Sequence, residues 1–424
     1  MPESDRPLRT ITLSDTERIV PWEILLDRIA ESRADAWIST RRFLHQNPEL
    51  SAKEFQTTRF IMERLQTLGL SPTTTSREVG CMADLTLGRP SADSPLIAIR
   101  ADIDALPLQD RKQVDYASSI PGITHACGHD VHTTIALAVA ETMVGLTETL
   151  SDSDPPSVRL RFVFQPAEEI AEGAGWMVEA GALQGVSCIL GLHVDPTATV
   201  GRIGIRYGVL TAHVDEVSLT VKGKGGHAAR PQHTSDPLLT AATLVTTLYQ
   251  QVSRQADALH PTVFTIGSIH GGTVSNVIPD EVQLEGTLRT TDADVRTRVM
   301  DSIRRLCRGL EEATGNRIDV DFRCPLGAVL NDTTATSACE QAAIQVLGSS
   351  SVTRIEKPSM GGEDFAVYLD HVPGSQFRLG CAAEPGEWPL LHSPFFDVDE
   401  RCVSIGARVM TRAALLLALM PATP

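Results

Sequence analysis

The sequence predicts an α/β protein with a smaller α+β domain inserted into it. Three observations carry this reading. Short apolar strands alternate with helical stretches between residues 82 and 192. Near residue 210 the texture changes to half-exposed alternation, and the elements then follow a β-α-β-β-α-β order up to residue 323. After Asn331 the first texture returns. Alternating strands and helices build a mixed sheet covered by helices. The second order is that of a ferredoxin-like split βαβ sandwich. The expected divisions are therefore 1–209 and 330–424 for one domain and 210–329 for the insert.

Taken in order, residues 1–20 are polar and predict a loose arm. Over residues 22–45, Ile24, Leu25, Ile29, Trp37, Ile38 and Leu44 recur at helical spacing, and Asn47-Pro48 stops the run. Residues 54–68 predict a second helix, with Gly69 where a C-terminal cap belongs. Strands are expected at 82–87, 96–100, 159–164 and 187–192, with helices around 131–147 and 173–182. In the insert, Asp215, Val217, Leu219 and Val221 share one side of an alternating strand. A helix at 236–256, strands at 262–269 and 281–290, a helix at 293–313 and a strand at 317–323 complete it.

Composition narrows the function. The chain carries 53 acids against 37 bases, a net charge of −16, and no basic run, so no nucleic-acid partner is expected. No stretch reaches the roughly 18 uninterrupted apolar residues of a membrane span. The eight cysteines are scattered without Cys-x-x-Cys spacing, and the first residues are polar and charged. A reduced, cytoplasmic protein with free thiols is the expectation.

The chemistry concentrates in His125-Ala126-Cys127-Gly128-His129-Asp130-Val131-His132. Cys127 and His129 flank one glycine, so a turn can aim both at one point, and thiolate with imidazole suits zinc or another divalent transition metal. Alone, the pair also fits a buried thiol beside a helix-capping histidine. Asp102 and Asp104, Glu168 and Glu169, and His193 each lie just beyond an expected strand. Ligands of open α/β sheets gather there. One of the two aspartates can orient a metal-bound imidazole, or both can be solvated loop acids. Of Glu168 and Glu169, one can bind metal while the other acts as general base, or both can simply start a helix. His193 and His392 are each, in isolation, compatible with a structural role. Cys127, His129, one Glu and the two histidines exceed what one tetrahedral site needs and suit two metals sharing a bridging water or carboxylate. In the insert, the turns at 225–229 and 271–279 lack the Gly-Lys-Ser/Thr of a phosphate loop. His227, Asn276 and Arg289 can instead bind a carboxylate and an oxyanion, although Arg289 also fits a surface salt bridge.

With these motifs assembled, the sequence resembles the aminoacylase and carboxypeptidase family of co-catalytic metallohydrolases. The branch is that of hippurate hydrolase, indole-acetyl-amino-acid hydrolase and bacterial N-acyl-amino-acid amidohydrolases. The matching blocks are residues 100–107, 125–130, 164–169, 191–193, 223–229, 271–279, 286–289, 360–365 and 391–394, in the family's order. The resemblance implies two divalent ions per subunit, manganese or zinc, held by Cys127, His129, Glu169, His193 and His392. It implies Glu168 as general base, Asp104 as orienting acid with Asp102 nearby, and His227 polarising the scissile carbonyl, in its own subunit or across a dimer. Asn276 and Arg289 would hold a substrate carboxylate, and Gly361 and Gly362 would line the site through their backbone. The implied substrate is a small N-acyl-L-amino acid, with peptides as the alternative. The implied insert is a lid through which a homodimer or higher homo-oligomer forms. Gln232 stands where the branch has a histidine, with His233 one place on, and Gln109-Asp110 replaces an ending in Glu.

Overall fold

The computed structural model describes residues 21–149, 156–257 and 259–420, so the arm expected over 1–20 lies outside the described residues. The described chain forms two compact units. The larger comprises the chain up to Gly208, Asn331–Glu356, and the chain from Val367 onward; the smaller comprises Val209–Leu330 and Lys357–Ala366.

The larger unit is built on an eight-stranded mixed sheet. Its order is Thr73–Thr74, Cys81–Leu87, Val158–Gln165, Leu96–Asp102, Val186–Thr199, Gly374–Ala382, Ile203–Ile205 and Val352–Arg354. Leu96–Asp102 is buried at every residue because it sits centrally, parallel to both neighbours. Asp102 pairs with Gln165, which brings the carboxyl ends of these two strands level. Gly374–Ala382 adds in parallel to Val186–Thr199, with Arg378 opposite His193.

Helices pack on this sheet through apolar runs. Pro21–Gln46, Phe55–Thr67 and His129–Thr149 match helices expected from the sequence, and Arg401–Ala418 packs with them. Ile135, Ala136, Leu137, Ala138, Val139 and Ala140 are all buried, so His129–Thr149 is apolar all round, as a helix enclosed by neighbours must be. Its N-terminus carries His129 to the carboxyl edge of the sheet, where Asp104 meets it. Among the described residues, no helix is long and apolar enough to cross a membrane.

The smaller unit holds a four-stranded antiparallel sheet ordered Thr262–Gly271, Glu281–Thr290, His213–Lys222, Arg317–Leu326. Together with the helices Pro237–Gln255 and Ala293–Thr314, this is the ferredoxin-like arrangement. Asp236 and Asp292 cap the two helices by accepting backbone N–H bonds, and Gly315 ends the second at φ +74°. Val217, Leu219 and Val221 form the core with Leu244, Leu248, Val299 and Ile303. Asp215 shares their buried side because Arg296 neutralises it through bonds of 2.8 and 2.5 Å.

Candidate metal centre

Four segments of the larger unit converge on one cluster of donors: the turn at Cys127–His129, the chain just after Val158–Gln165, the strand Val186–Thr199 and the loop of His392. Cys127, His129 and His193 offer ligand atoms lying within 4.8 Å of one another, as do Cys127, Glu169 and His392, and as do His129, Glu168 and Glu169. The Cys127 Sγ to His193 Nε2 distance is 3.5 Å, and His392 Nε2 lies 3.6 Å from Glu169 Oε1. Gly128 makes the Cys127–His129 turn possible. Its φ is +83°, and a Cβ there would meet Val194 Cγ2 at 2.4 Å. His392 itself adopts φ +62°, and its backbone N–H donates to Ala126 O at 2.8 Å, tying its loop to the Cys127 turn.

The imidazoles are oriented from behind. His129 Nδ1 lies 3.0 Å from Asp104 Oδ1 and 3.0 Å from the Asp104 carbonyl oxygen. Nδ1 faces these acceptors, so Nε2 is the ring nitrogen that faces inward. His193 Nδ1 donates to Val194 O at 2.8 Å, which likewise leaves Nε2 for the cluster. Asp104 Oδ2 also accepts from Ser51 Oγ at 2.7 Å and from the Glu169 N–H at 3.1 Å. One carboxylate thus fixes an imidazole and the main chain of a neighbouring acid.

Two buried polar atoms at the centre, His129 Nε2 and Glu169 Oε1, have no hydrogen-bond partner among the described residues. Leaving such groups unpaired is costly, and a shared cation satisfies both. The same burial acts on the acidities of the donors. Burial pushes the Cys127 thiol well up and holds His193 well down, and it raises the Glu169 carboxyl. Burial also opposes charge on His129, but Asp102 and then Cys127 outweigh it and raise that imidazole. A buried thiol and two buried imidazoles, with a carboxylate and the more exposed His392 beside them, fit a divalent metal.

The candidate residues of the smaller unit fall into two places. His227, on Gly226–His227, pairs with Val277 on Val277–Ile278, and Ala228 N–H donates to Asn276 O at 3.1 Å. His227 and Asn276 are therefore neighbours. The His227 Nδ1 accepts from Ala229 N–H at 3.1 Å, which leaves the proton of the neutral ring on Nε2. Arg289 donates through Nη1 to Met360 O at 2.7 Å, beside Gly361 and Gly362. A Cβ on Gly362 would lie 3.0 Å from Leu326 Cδ2 and 3.1 Å from Val214 Cγ2.

With the geometry in view, comparison with known proteins is decisive. Residues 98–416 match the model of peptidase family M20/M25/M40. The chain belongs to this family. Among its relatives, an N-acetylcysteine deacetylase of Bacillus subtilis is 38% identical, covering 90% of this chain and 96% of its own. A thermostable carboxypeptidase of Saccharolobus solfataricus is 34% identical over 87% of this chain and 92% of its own. The crystal structure of Bacillus subtilis YxeP, a dinuclear metal-binding peptidase of the M20 family, superposes with a TM-score of 0.78 at 34% identity. It covers 92% of this chain and 99% of YxeP. The recognition made from the motifs is thereby confirmed: this M20 chain is a metal-dependent hydrolase of amide bonds.

Several supports of the M20 centre carry little signal in the sequence. His132 lies in the same eight-residue stretch but spends both nitrogens elsewhere: Nδ1 donates to Asp102 Oδ1 at 2.6 Å, and Nε2 accepts from Val194 N–H at 3.0 Å. It braces the strand Val186–Thr199 next to His193. Arg100 lies on the same strand and donates to Asp102 Oδ2 at 2.5 Å. His129, His132 and Arg100 together overcome burial and hold the Asp102 carboxyl well below the usual range. Asp110, one of the departures from the branch, is fully used: it accepts from Ser118 and Lys112 N–H, both at 3.0 Å.

Proposed function

We propose that this M20 enzyme releases amino acids from N-acyl-L-amino acids, using two divalent ions, manganese or zinc. Cys127, His129, Glu169, His193 and His392 would hold them. The observation that carries the reading is the pair of orphaned atoms, His129 Nε2 and Glu169 Oε1, set in a ring of donors beside a second carboxylate. A cation bound there lowers the pKa of water toward neutrality and polarises a carbonyl.

Each of the chain's own residues then has a defined task. Glu168 takes a proton from the attacking water and delivers it to the leaving amine. Its Oε2 lies 3.9 Å from His129 Nε2, so it borders the donors. Asp104 keeps His129 in the tautomer that turns Nε2 inward, and Asp102 serves His132 in the same way. His227, from its own chain or from a partner copy, donates through Nε2–H to the developing oxyanion. Arg289, held in place by Met360 O, presents its fork to the substrate's α-carboxylate with the Asn276 amide. Gly361 and Gly362 would line the site through their backbone.

The smaller unit, residues 210–329 in the sequence reading, would act as the lid and dimerisation domain. Its edge strand Thr262–Gly271 exposes Val263 and Ile269, as a strand awaiting a partner does. The free cysteines among the described residues are all buried, which fits a reducing, cytoplasmic setting.

The test is amino-acid release from N-acetyl, N-benzoyl, indole-acetyl and long-chain acyl amino acids and from dipeptides. The protein is stripped with chelator and reloaded with manganese or zinc. Metal-dependent release from one acyl class is expected. Release from dipeptides alone would assign it a peptidase role, to which Arg289 and Asn276 are equally suited. No turnover despite stoichiometric metal would leave a binding protein.

A further inference from the structure

Glu54 is completely buried, yet nothing in its local structure accounts for it. It is the N-cap residue of the helix Phe55–Thr67, but its side chain makes no capping bond. Its Oε1 instead accepts the backbone N–H of Ala167 at 2.8 Å, across 113 residues of chain. Its Oε2 is buried with no hydrogen-bond partner among the described residues. A buried carboxyl placed at such a cost is the kind of local conflict that functional sites keep.

Ala167 is itself strained. It is not glycine, yet its φ is +52°. The loop around it is closed tightly: Ala167 O accepts from Gly173 N–H at 3.1 Å, and a Cβ on Gly173 would overlap Pro166 O at 1.5 Å. Glu168 and Glu169 follow directly. Two buried carboxylates therefore bracket Glu168, with Glu54 on the N–H before it and Asp104 on the N–H after it.

We propose that Glu54 is a positioning residue for the Glu168–Glu169 pair, acting through the backbone N–H of Ala167. Its acceptor oxygen at that reach, and not its charge, is what the site requires. Without that acceptor, Ala167 relaxes from its left-handed conformation and the carboxylate of Glu168 swings off line. The inference rests on the assignment of Glu168 as base and Glu169 as ligand. It also explains why burial, with Asp104 adding to it, can push the Glu54 carboxyl up to about 7 without harm, since a protonated carboxyl still accepts through its carbonyl oxygen.

Three substitutions separate reach from charge. Glu54→Gln keeps the acceptor and removes the charge; Glu54→Asp keeps the charge and loses the reach; Glu54→Leu loses both. Each full-length, metal-loaded variant is assayed for kcat and KM on the best N-acyl amino acid of the panel, with metal content and thermal midpoint measured on the same samples. Misplacing a catalytic group by about 1 Å costs on the order of 10²-fold. Glu54→Asp and Glu54→Leu are expected to lose at least about tenfold in kcat, with KM and metal stoichiometry unchanged. Glu54→Gln restores kcat to within about threefold of the parent.

If Glu54→Leu folds poorly, Glu54→Asp carries the comparison. Wild-type kcat in Glu54→Asp overturns the proposal. So does Glu54→Gln as slow as Glu54→Asp, or a kcat loss that merely follows loss of metal. Glu168→Gln in the same series keeps the two assignments apart: full activity there sinks the assignment of the base, whatever the Glu54 variants show.

Discussion

Asp104→Asn preserves the shape of the side chain and removes one of its two acceptors. In the parent, Oδ1 accepts from His129 Nδ1 at 3.0 Å, and Oδ2 accepts from Ser51 Oγ at 2.7 Å and from Glu169 N–H at 3.1 Å. An asparagine offers one acceptor oxygen and one NH2. With the oxygen toward His129, the NH2 confronts the Glu169 N–H. With the amide flipped, it confronts the His129 Nδ1–H, which then keeps only the Asp104 carbonyl oxygen at 3.0 Å. Either way one proposed ligand loses its support. Loss of such a partner behind a metal-binding imidazole costs about 10- to 100-fold in metal affinity, or about 1.4–2.7 kcal/mol. Competition between the stripped protein and a fluorescent chelator for zinc or manganese reads this directly. Ser51→Ala, which removes one neutral hydrogen bond, should cost only about 0.5–1.5 kcal/mol in the same titration. Affinity for Asp104→Asn within about twofold of the parent would refute the reasoning, because a support that can be halved freely is not orienting the ligands.

Three further outcomes follow from the same structure. The Glu54 carboxyl is pushed from 4.5 up to about 7 by burial and then by Asp104, so the folded state binds the extra proton in that window. Stability of the metal-free protein should therefore fall as pH rises from about 4.5 to 7, by roughly 3 kcal/mol from this group; urea denaturation at pH 5 and 8 should show Glu54→Gln lacking that share of the slope. Asp130→Ala removes the closest partner of a fully buried guanidinium: Arg41 Nε lies 2.8 Å from Asp130 Oδ2, and its other acids, Asp397 and Glu400, stand at 3.2 and 3.4 Å. Urea denaturation of the metal-free variant should show a loss of about 3–5 kcal/mol, insensitive to salt. Gly128→Ala puts a Cβ 2.4 Å from Val194 Cγ2 at a φ of +83°, so the thermal midpoint and the metal stoichiometry should fall together.

Much of this architecture was legible in the chain. The helical spacing over 22–45 predicted Pro21–Gln46, and the alternation from Val214 to Val221 put Val217, Leu219 and Val221 on the buried side. Local pattern suffices where one element's own periodicity decides its buried face. The strand ending expected at residue 192 runs on to Thr199 because Gly374–Ala382 pairs alongside it. No local pattern encodes that partner. That Glu169 and His193 would approach the Cys127–His129 turn could be anticipated from their expected places just beyond strands; His392, in a late loop, joined the set only through the family resemblance. Ser51, Glu54 and His132 could not be singled out. A serine in a loop, an acid at a helix start and a histidine in a helical first turn each have ordinary uses. Their tasks here rest on bonds to residues far along the chain: 53 positions for Ser51, 113 for Glu54, and 30 and 62 for His132.

The most direct test of the account is turnover by Glu168→Gln, metal-loaded, with metal content determined on the same preparation. The account predicts full metal occupancy and a loss of at least about 10²-fold in kcat for amide hydrolysis, the scale of a missing general base. Near-parental turnover at full occupancy would contradict it, because the proton of the attacking water would then have another destination.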